Sequence, residues 1–470
     1  MSKCKWLASM IVFAWLVSAD AVYAEKVFRA GAYAQDITPH FPISMNGGMR
    51  DRTAKGSHDP LHARCLVLDD GDMRIAIAVV DSCMIPRDIL DRAKKLASAT
   101  TKIPTDRMLI SATHTHTAPT VGGVFQSEPD KKYQKALAEL IARGIAVANS
   151  RLKPARVGWG VGKNPNQVFN RRWFVKNREL ILNPFGELTD LVRMNPPAGN
   201  EQLDRPAGPI DPDVSVLAVQ SKEGKPLALL ANYSLHYVGG IPPNQVSADY
   251  FGEFARVIAK KLNADEDFVG IMSNGTSGDI NNINFRERRK RQDPFVQVRI
   301  VAEDVAKTAF DVYQKIPFRD HVKLDMVERE IELGVRKGTE AELKRARDIL
   351  EKAGARVLEE IYARETVLLD KYPDNVKLKL QAIRIGDLAI TAIPCEVFVE
   401  IGLELKKKSP FKHTFTIELA NGYNGYLPTP EQHKLKGYET WRARSSYLKE
   451  DSSPKIVANL LEMLNELHRR

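Results

Sequence analysis

An apolar run, Arg107-Met-Leu-Ile-Ser-Ala-Thr113, leads directly into His114-Thr-His116, and Pro119 with Gly122-Gly123 halts it soon after. The run reads as a buried strand that delivers two imidazoles to the rim of a sheet. In an extended backbone residues i and i+2 point to the same side, so the spacing predicts that both rings converge on one ion or substrate. Imidazole is the commonest protein ligand for transition metals and the side chain that titrates nearest neutrality. A pair of hydrogen-bonded histidines is the plainer alternative, and partners elsewhere in the chain decide between the two.

The same pattern recurs. The run Pro226–Tyr233, paired with Ser215–Gln220 in a hairpin around Glu223-Gly224, passes straight into Ser234-Leu235-His236. Leu388–Ile393, paired with Val376–Ile385, ends in Pro394-Cys395-Glu396. Three strand ends thus present two imidazoles and a carboxylate, all competent to bind a metal. Two more strand-like runs end in polar turns: Phe268–Ser273 before Asn274-Gly-Thr-Ser-Gly-Asp279-Ile-Asn281-Asn282, and His413–Leu419 before Asn421-Gly-Tyr423-Asn-Gly-Tyr426. Helical periodicity separates the strands at Pro86–Ala99, Lys131–Ser150, Tyr250–Leu262, Pro294–Gln314, Thr339–Leu369 and Val397–Lys408, and closes the chain from Pro454. Thr339–Leu369 reads as one long, charged, solvated helix. Between Gly160 and Asp211 periodicity fades into a long loop, where Asn170-Arg171-Arg172-Trp173 either faces a site or is structural. The expected fold class is α/β, with mixed sheets and flanking helices in a single large domain.

At 470 residues the chain has no difficulty burying a core. Residues 1–24 read as a secretory signal: Lys3 and Lys5 form a basic start, Trp6 to Val17 an apolar core, and Val22-Tyr23-Ala24 a small-residue cleavage site. The mature domain is then 25–470, secreted or periplasmic, with no other segment near the ~20 apolar residues that a membrane helix needs. Cys4 leaves with the signal, and the widely spaced Cys65, Cys83 and Cys395 are expected as buried free thiols. The net charge of +10 is spread out apart from Arg286-Glu-Arg-Arg-Lys-Arg291, which reads as a solvated loop. No nucleic-acid motif accompanies it, so the expected partner is a small-molecule or lipid substrate.

The motifs together resemble the neutral/alkaline ceramidase family in its catalytic domain. The resemblance is carried by Ala30-Gly-Ala-Tyr-Ala-Gln-Asp36-Ile-Thr, the His-Thr-His-Thr-Ala-Pro stretch, Asn170-Arg171, the strand into His236 and Ser247-Ala-Asp249-Tyr-Phe-Gly252. It continues through Gly278-Asp279, Pro394-Cys-Glu396 and Asn421 to Glu439, in the family's order from about residue 28 to 445. It implies a zinc ion held by His114, His236, Glu396 and Tyr426. Strand ends alone reach the first three, whereas nothing in the residue pattern prefers Tyr426 over Tyr423. The resemblance further implies that His116 handles the proton, that water activated by the metal is the nucleophile, and that Asn170, Arg171 and Asp279 stand on the substrate side.

Three departures accompany the resemblance. Where the ceramidases place a serine and proline after Gly-Asp-x, this chain has Asn281-Asn282; Asn281 is no nucleophile, but its amide can donate to an oxyanion or a substrate hydroxyl. A tyrosine of the family is His433 here. Typical ceramidases also continue into a β-sandwich domain, whereas this sequence ends at Arg470. The expected activity is zinc-dependent hydrolysis of a linear N-acyl amide such as that of ceramide. The alternatives are an ester or glycosidic bond, or a non-catalytic lipid- or polysaccharide-binding descendant, against which the retained His114, His116, His236 and Glu396 argue.

Overall fold

The computed structural model describes residues 26–177, 181–288, 291–352 and 356–470. The signal assigned to residues 1–24 lies outside them, as do Arg289 and Lys290 of the charged run. Two sheets stack face to face with helices on both outer sides, an arrangement of four layers. The larger sheet has eight strands: β1 (Arg29–Asp36), β2 (His62–Asp69), β3 (Arg74–Val80), β4 (Met108–Ala112), β5 (Lys153–Lys163), β6 (Asp213–Ser221), β7 (Pro226–Tyr233) and β8 (Val269–Asn274). Their spatial order is β8-β7-β6-β5-β1-β2-β3-β4. The smaller sheet has the order of its sequence: β9 (Leu324–Gly334), β10 (Asn375–Ile385), β11 (Leu388–Ile393) and β12 (His413–Glu418).

The inner faces share one core, where Leu66, Ile75, Ile77 and Leu230 meet Met326, Ile383, Ile390, Phe415 and Ile417. Outside the larger sheet lie α1 (Arg87–Thr101), α2 (Lys131–Ser150), α3 (Asp249–Lys261) and α4 (Val296–Tyr313). Outside the smaller sheet lie α7 (Val399–Lys408) and α9 (Ser452–Arg469). The expected α/β class with mixed sheets is what the chain adopts.

Both sheets are mostly antiparallel, yet each free end of the larger sheet and one end of the smaller closes with a parallel pair: β3 with β4, β7 with β8, and β11 with β12. Parallel neighbours need a crossover, and α1, α3 and α7 supply it. A parallel pair brings two carboxyl ends to the same edge, where α/β proteins build their sites. Here six such ends meet.

Two expectations change. The stretch after Arg151 holds the eleven-residue β5, in which Ala155, Val157, Trp159 and Val161 line one face while Gly158, Gly160 and Gly162 leave the other without side chains at those positions. A Cβ at each would fall within 2.9 Å of Ile316, Val312 or Thr308, so the glycines let α4 and the chain after it lie close against the strand. The rest of the supposed loop adds a three-stranded sheet from Arg172–Val175, Val192–Met194 and Leu203–Pro206. Thr339–Leu369 is two helices, α5 (Glu340–Glu351) and α6 (Val357–Asp370). The second is no mere solvated layer, because Ile361, Tyr362 and Glu365 are buried and Glu365 grips Arg444. Cys65, Cys83 and Cys395 are free and buried, as expected.

Candidate metal centre

Each parallel pair delivers one candidate ligand and, from its second strand end, the group that holds that ligand. His114 follows β4, and its Nδ1 donates to the Cys83 carbonyl at the end of β3, 2.6 Å away. His236 follows β7, and its Nδ1 donates to the Ser277 carbonyl beyond β8 at 3.0 Å. Glu396 follows β11, and its Oε1 accepts from the Tyr423 hydroxyl beyond β12 at 2.9 Å. A carbonyl only accepts, so each neutral imidazole carries its proton on Nδ1 and turns the Nε2 lone pair inward.

The inward atoms crowd together. His114 Nε2 stands 3.0 Å from His236 Nε2 and 3.2 Å from Glu396 Oε2, and His236 Nε2 lies 3.7 Å from that same oxygen. His116 Nε2 is 3.1 Å from His114 Nε2. Glu396 Oε2 is buried and has no hydrogen-bond donor. Imidazole nitrogens converging on a buried carboxylate oxygen repel one another unless a cation, a proton or a metal ion, sits among them. The donor set therefore fits a metal ion, and His114, His236 and Glu396 are positioned to hold one. Glu396 also pairs with Tyr426 across a parallel two-residue ladder. That places the Tyr426 hydroxyl beside the carboxylate, where Arg171 Nη2 donates to it at 3.0 Å.

Burial alone lowers the pKa of an imidazole. For His114 the adjacent Glu396 carboxylate and Cys83 overcome burial and hold the value well above the ordinary one. For His236 and His116 burial, the neighbouring His114 and Arg171 act together and hold both well below it. Glu396 is kept low despite burial by His114 and Arg171. His116 stacks on Tyr237, with ring centroids 3.6 Å apart.

A cavity of 170 Å³ opens onto these groups. Met49, Met84, Val124, Phe125 and Met194 form an apolar wall, and Arg171, Asn195, Tyr423, Tyr426 and Tyr438 a polar one. Of the residues named from sequence, His114, His116, Arg171, Glu396 and Tyr426 line it. His236 sits beneath, within reach of the same centre. Asn170 and Asp279 lie behind the wall: Asn170 Nδ2 donates to Asp279 Oδ2 at 2.7 Å, and Asp279 Oδ1 accepts from Val399 N at the start of α7. Asn281 Nδ2 donates to Asn195 Oδ1 at 2.6 Å, so it reaches the cavity through Asn195.

Tyr423, which the residue pattern leaves level with Tyr426, binds Glu396, and two residues that the pattern does not single out also contribute: Tyr237, and Glu439, whose carboxylate binds both Arg171 and Arg172. Tyr423 and Glu439 lie within the stretch Asn421 to Glu439 that carries the resemblance, whereas nothing in the sequence marks Tyr237.

No protein-family model matches the chain. The neutral ceramidase of Pseudomonas aeruginosa is 22% identical over 514 aligned positions, covering 93% of this chain and 72% of that protein. The crystal structure of neutral ceramidase from the same organism superposes with a TM-score of 0.72 at 20% identity, over 95% of this chain and 75% of the other. A ceramidase complexed with C2 gives 0.70 at 19%, over 94% and 76%. The chain is thus a divergent neutral-ceramidase-like protein and shares that fold over nearly its whole described length.

Proposed function

We propose that the chain is an exported zinc-dependent hydrolase of a linear N-acyl amide, with ceramide or a related N-acylated lipid as the substrate class. The observation that carries the reading is the convergence of His114 Nε2, His236 Nε2 and the orphaned Glu396 Oε2. Zinc bonds of ~2.0–2.1 Å in a tetrahedron imply ligand–ligand edges of about 3.3 Å, in the range of the 3.0, 3.2 and 3.7 Å found here. Tyr426 is the candidate fourth ligand. When bound, zinc supplies Lewis acidity that polarises a carbonyl oxygen and acidifies water.

The chain's own residues supply the rest. In amide hydrolysis water adds to the carbonyl carbon, the C–N bond breaks, and the proton lost by water goes to the leaving nitrogen. His116, neutral at working pH, is placed to carry that proton. Arg171 fixes the Tyr426 oxygen, and the apolar wall suits the first carbons of an acyl chain. Methionines at three of its positions adapt to different chains. The volume is below the ~300 Å³ at which drug-sized ligands are enclosed, so the remainder of a long substrate lies outside the cavity. Export is supported by the basic, apolar and small-residue segments of residues 1–24.

Metal analysis beside a substrate panel tests the reading. The expected result is one zinc per chain, lost in His114→Ala, and turnover of fluorescent N-acyl amides that chelator removes and zinc restores. A zinc-free wild type, or unchanged zinc in His114→Ala, overturns the metal. Turnover confined to esters or aryl glycosides overturns the bond.

A further inference from the structure

Glu418 ends β12 and is wholly buried at 0% exposure, although the proposed chemistry does not use it. Its Oε2 accepts from Val397 N at 2.6 Å and from Ser277 N at 3.3 Å, and its Oε1 accepts from Ser277 Oγ at 2.6 Å. Val397 directly follows Glu396. Ser277 is the residue whose carbonyl orients His236. We propose that Glu418 is a positioning residue of the metal centre, one carboxyl group that sets the strand bearing Glu396 against the turn that aims His236.

The surroundings show how tightly the two segments are drawn together. Gly278 N donates to Val397 O at 2.8 Å, and a Cβ at Gly278 would stand 2.6 Å from Glu396 O. The next residue, Leu419, takes φ +53°, a left-handed turn that a branched side chain rarely adopts. Such strain persists where the surroundings over-determine it. Here the turn lets Leu419 N reach Cys395 O and Ala420 N reach Ile393 O while Glu418 points inward. An amide can stand in for this carboxyl group, since its oxygen still accepts from Val397 N and Ser277 N while its N–H donates to Ser277 Oγ, which can accept as well as donate.

The role in the metal centre rests on the zinc reading above; the orientation of His236 does not. Three measurements on Glu418→Ala and Glu418→Gln separate them: zinc affinity by chelator competition, kcat and KM on an N-acyl amide at saturating zinc, and the His236 tautomer by nitrogen NMR of zinc-free protein. Groups that orient ligands are worth about 10–100-fold in affinity, so Glu418→Ala is expected to weaken zinc by that factor and to lower kcat more than it changes KM, with Glu418→Gln restored to within about 3-fold. Zinc-free Glu418→Ala is expected to lose the fixed Nδ1–H tautomer. Wild-type affinity and tautomer in Glu418→Ala, or a Gln variant no better than Ala, overturns the proposal. If Glu418→Ala does not fold, Glu418→Asp, too short to span both segments, carries the same expectations and the same refutation. A wild type that takes up no zinc defeats the functional reading, and the tautomer then still decides whether Glu418 positions His236.

Discussion

The two sheets hold their candidate ligands by different means. On the larger sheet His114 and His236 are fixed by backbone carbonyls, those of Cys83 and Ser277. On the smaller sheet Glu396 is fixed by side chains, the Tyr423 hydroxyl directly and Arg171 through Tyr426. A carbonyl survives substitution of its own residue, whereas a hydroxyl does not. The histidine half of the centre is therefore robust to substitution of the residues whose carbonyls hold it, and the carboxylate half is exposed to loss of the hydroxyl that holds it.

Substitutions of graded severity test that contrast. Removing a ligand outright, as in His236→Ala, is expected to abolish metal uptake and to cut turnover by at least about 10³-fold, since the whole activation of water is lost; metal content and kcat/KM read it. Tyr423→Phe keeps the ring and deletes only the hydroxyl that steers Glu396, so a loss of about 10–100-fold in metal affinity is expected. An unchanged affinity there would erase the difference between the sheets.

An exception on the histidine side gives a pH test. Asp249, wholly buried and at φ +54°, accepts from Val238 N and Gly239 N and so shapes the turn after Tyr237, the ring stacked on His116. Burial, with Asp59 nearby, raises its carboxyl to about 6 from 3.8. The native state binds this proton more tightly than the unfolded chain does. The resulting stability is complete below pH about 4 and lost as pH rises through about 6, on the order of 3 kcal/mol at most. Asparagine mimics the acid form, so the melting temperatures of the wild type and Asp249→Asn are expected to lie closest at low pH and the wild type to fall relative to the variant as pH rises through that window; parallel curves would refute the assignment. The smallest effect is expected for Cys83→Ala: the carbonyl that holds His114 remains, and metal affinity shifts by less than about 3-fold, against the larger loss that follows a lost orienting group. A larger loss would mean that the thiol, 3.8 Å from His114 Nδ1, does what the carbonyl is credited with here.

Much of this was legible in the sequence, for a physical reason: a buried strand that ends in a polar tip writes both its core and its function into consecutive residues. His114, His236 and Glu396 stood out that way. The means of convergence did not. The strand stops at Ala112 and His114 takes φ +71°, so the two rings of His-Thr-His meet through a left-handed turn and not through strand alternation. Strand β5 stayed hidden because its contact with α4 is made by missing side chains. The carbonyls of Cys83 and Ser277 leave no residue-type signature, Tyr237 meets His116 across distant strand ends of the larger sheet, and Glu418 acts on Ser277 through a pairing that only the docked sheets create.

That docking has a consequence for assembly. Residues 114, 236, 396 and 426 belong to three separate strand–helix–strand units, and no unit alone presents more than part of a coordination shell. The centre exists only after the sheets have closed on each other along the seam where Asn232 Nδ2 bonds both Ser273 Oγ and Thr416 O. A ligand that binds only the closed form adds about 4 kcal/mol to closure at a thousandfold excess over its Kd. An ion captured there would act as a clasp on the tertiary structure, favouring the closed seam over the open one.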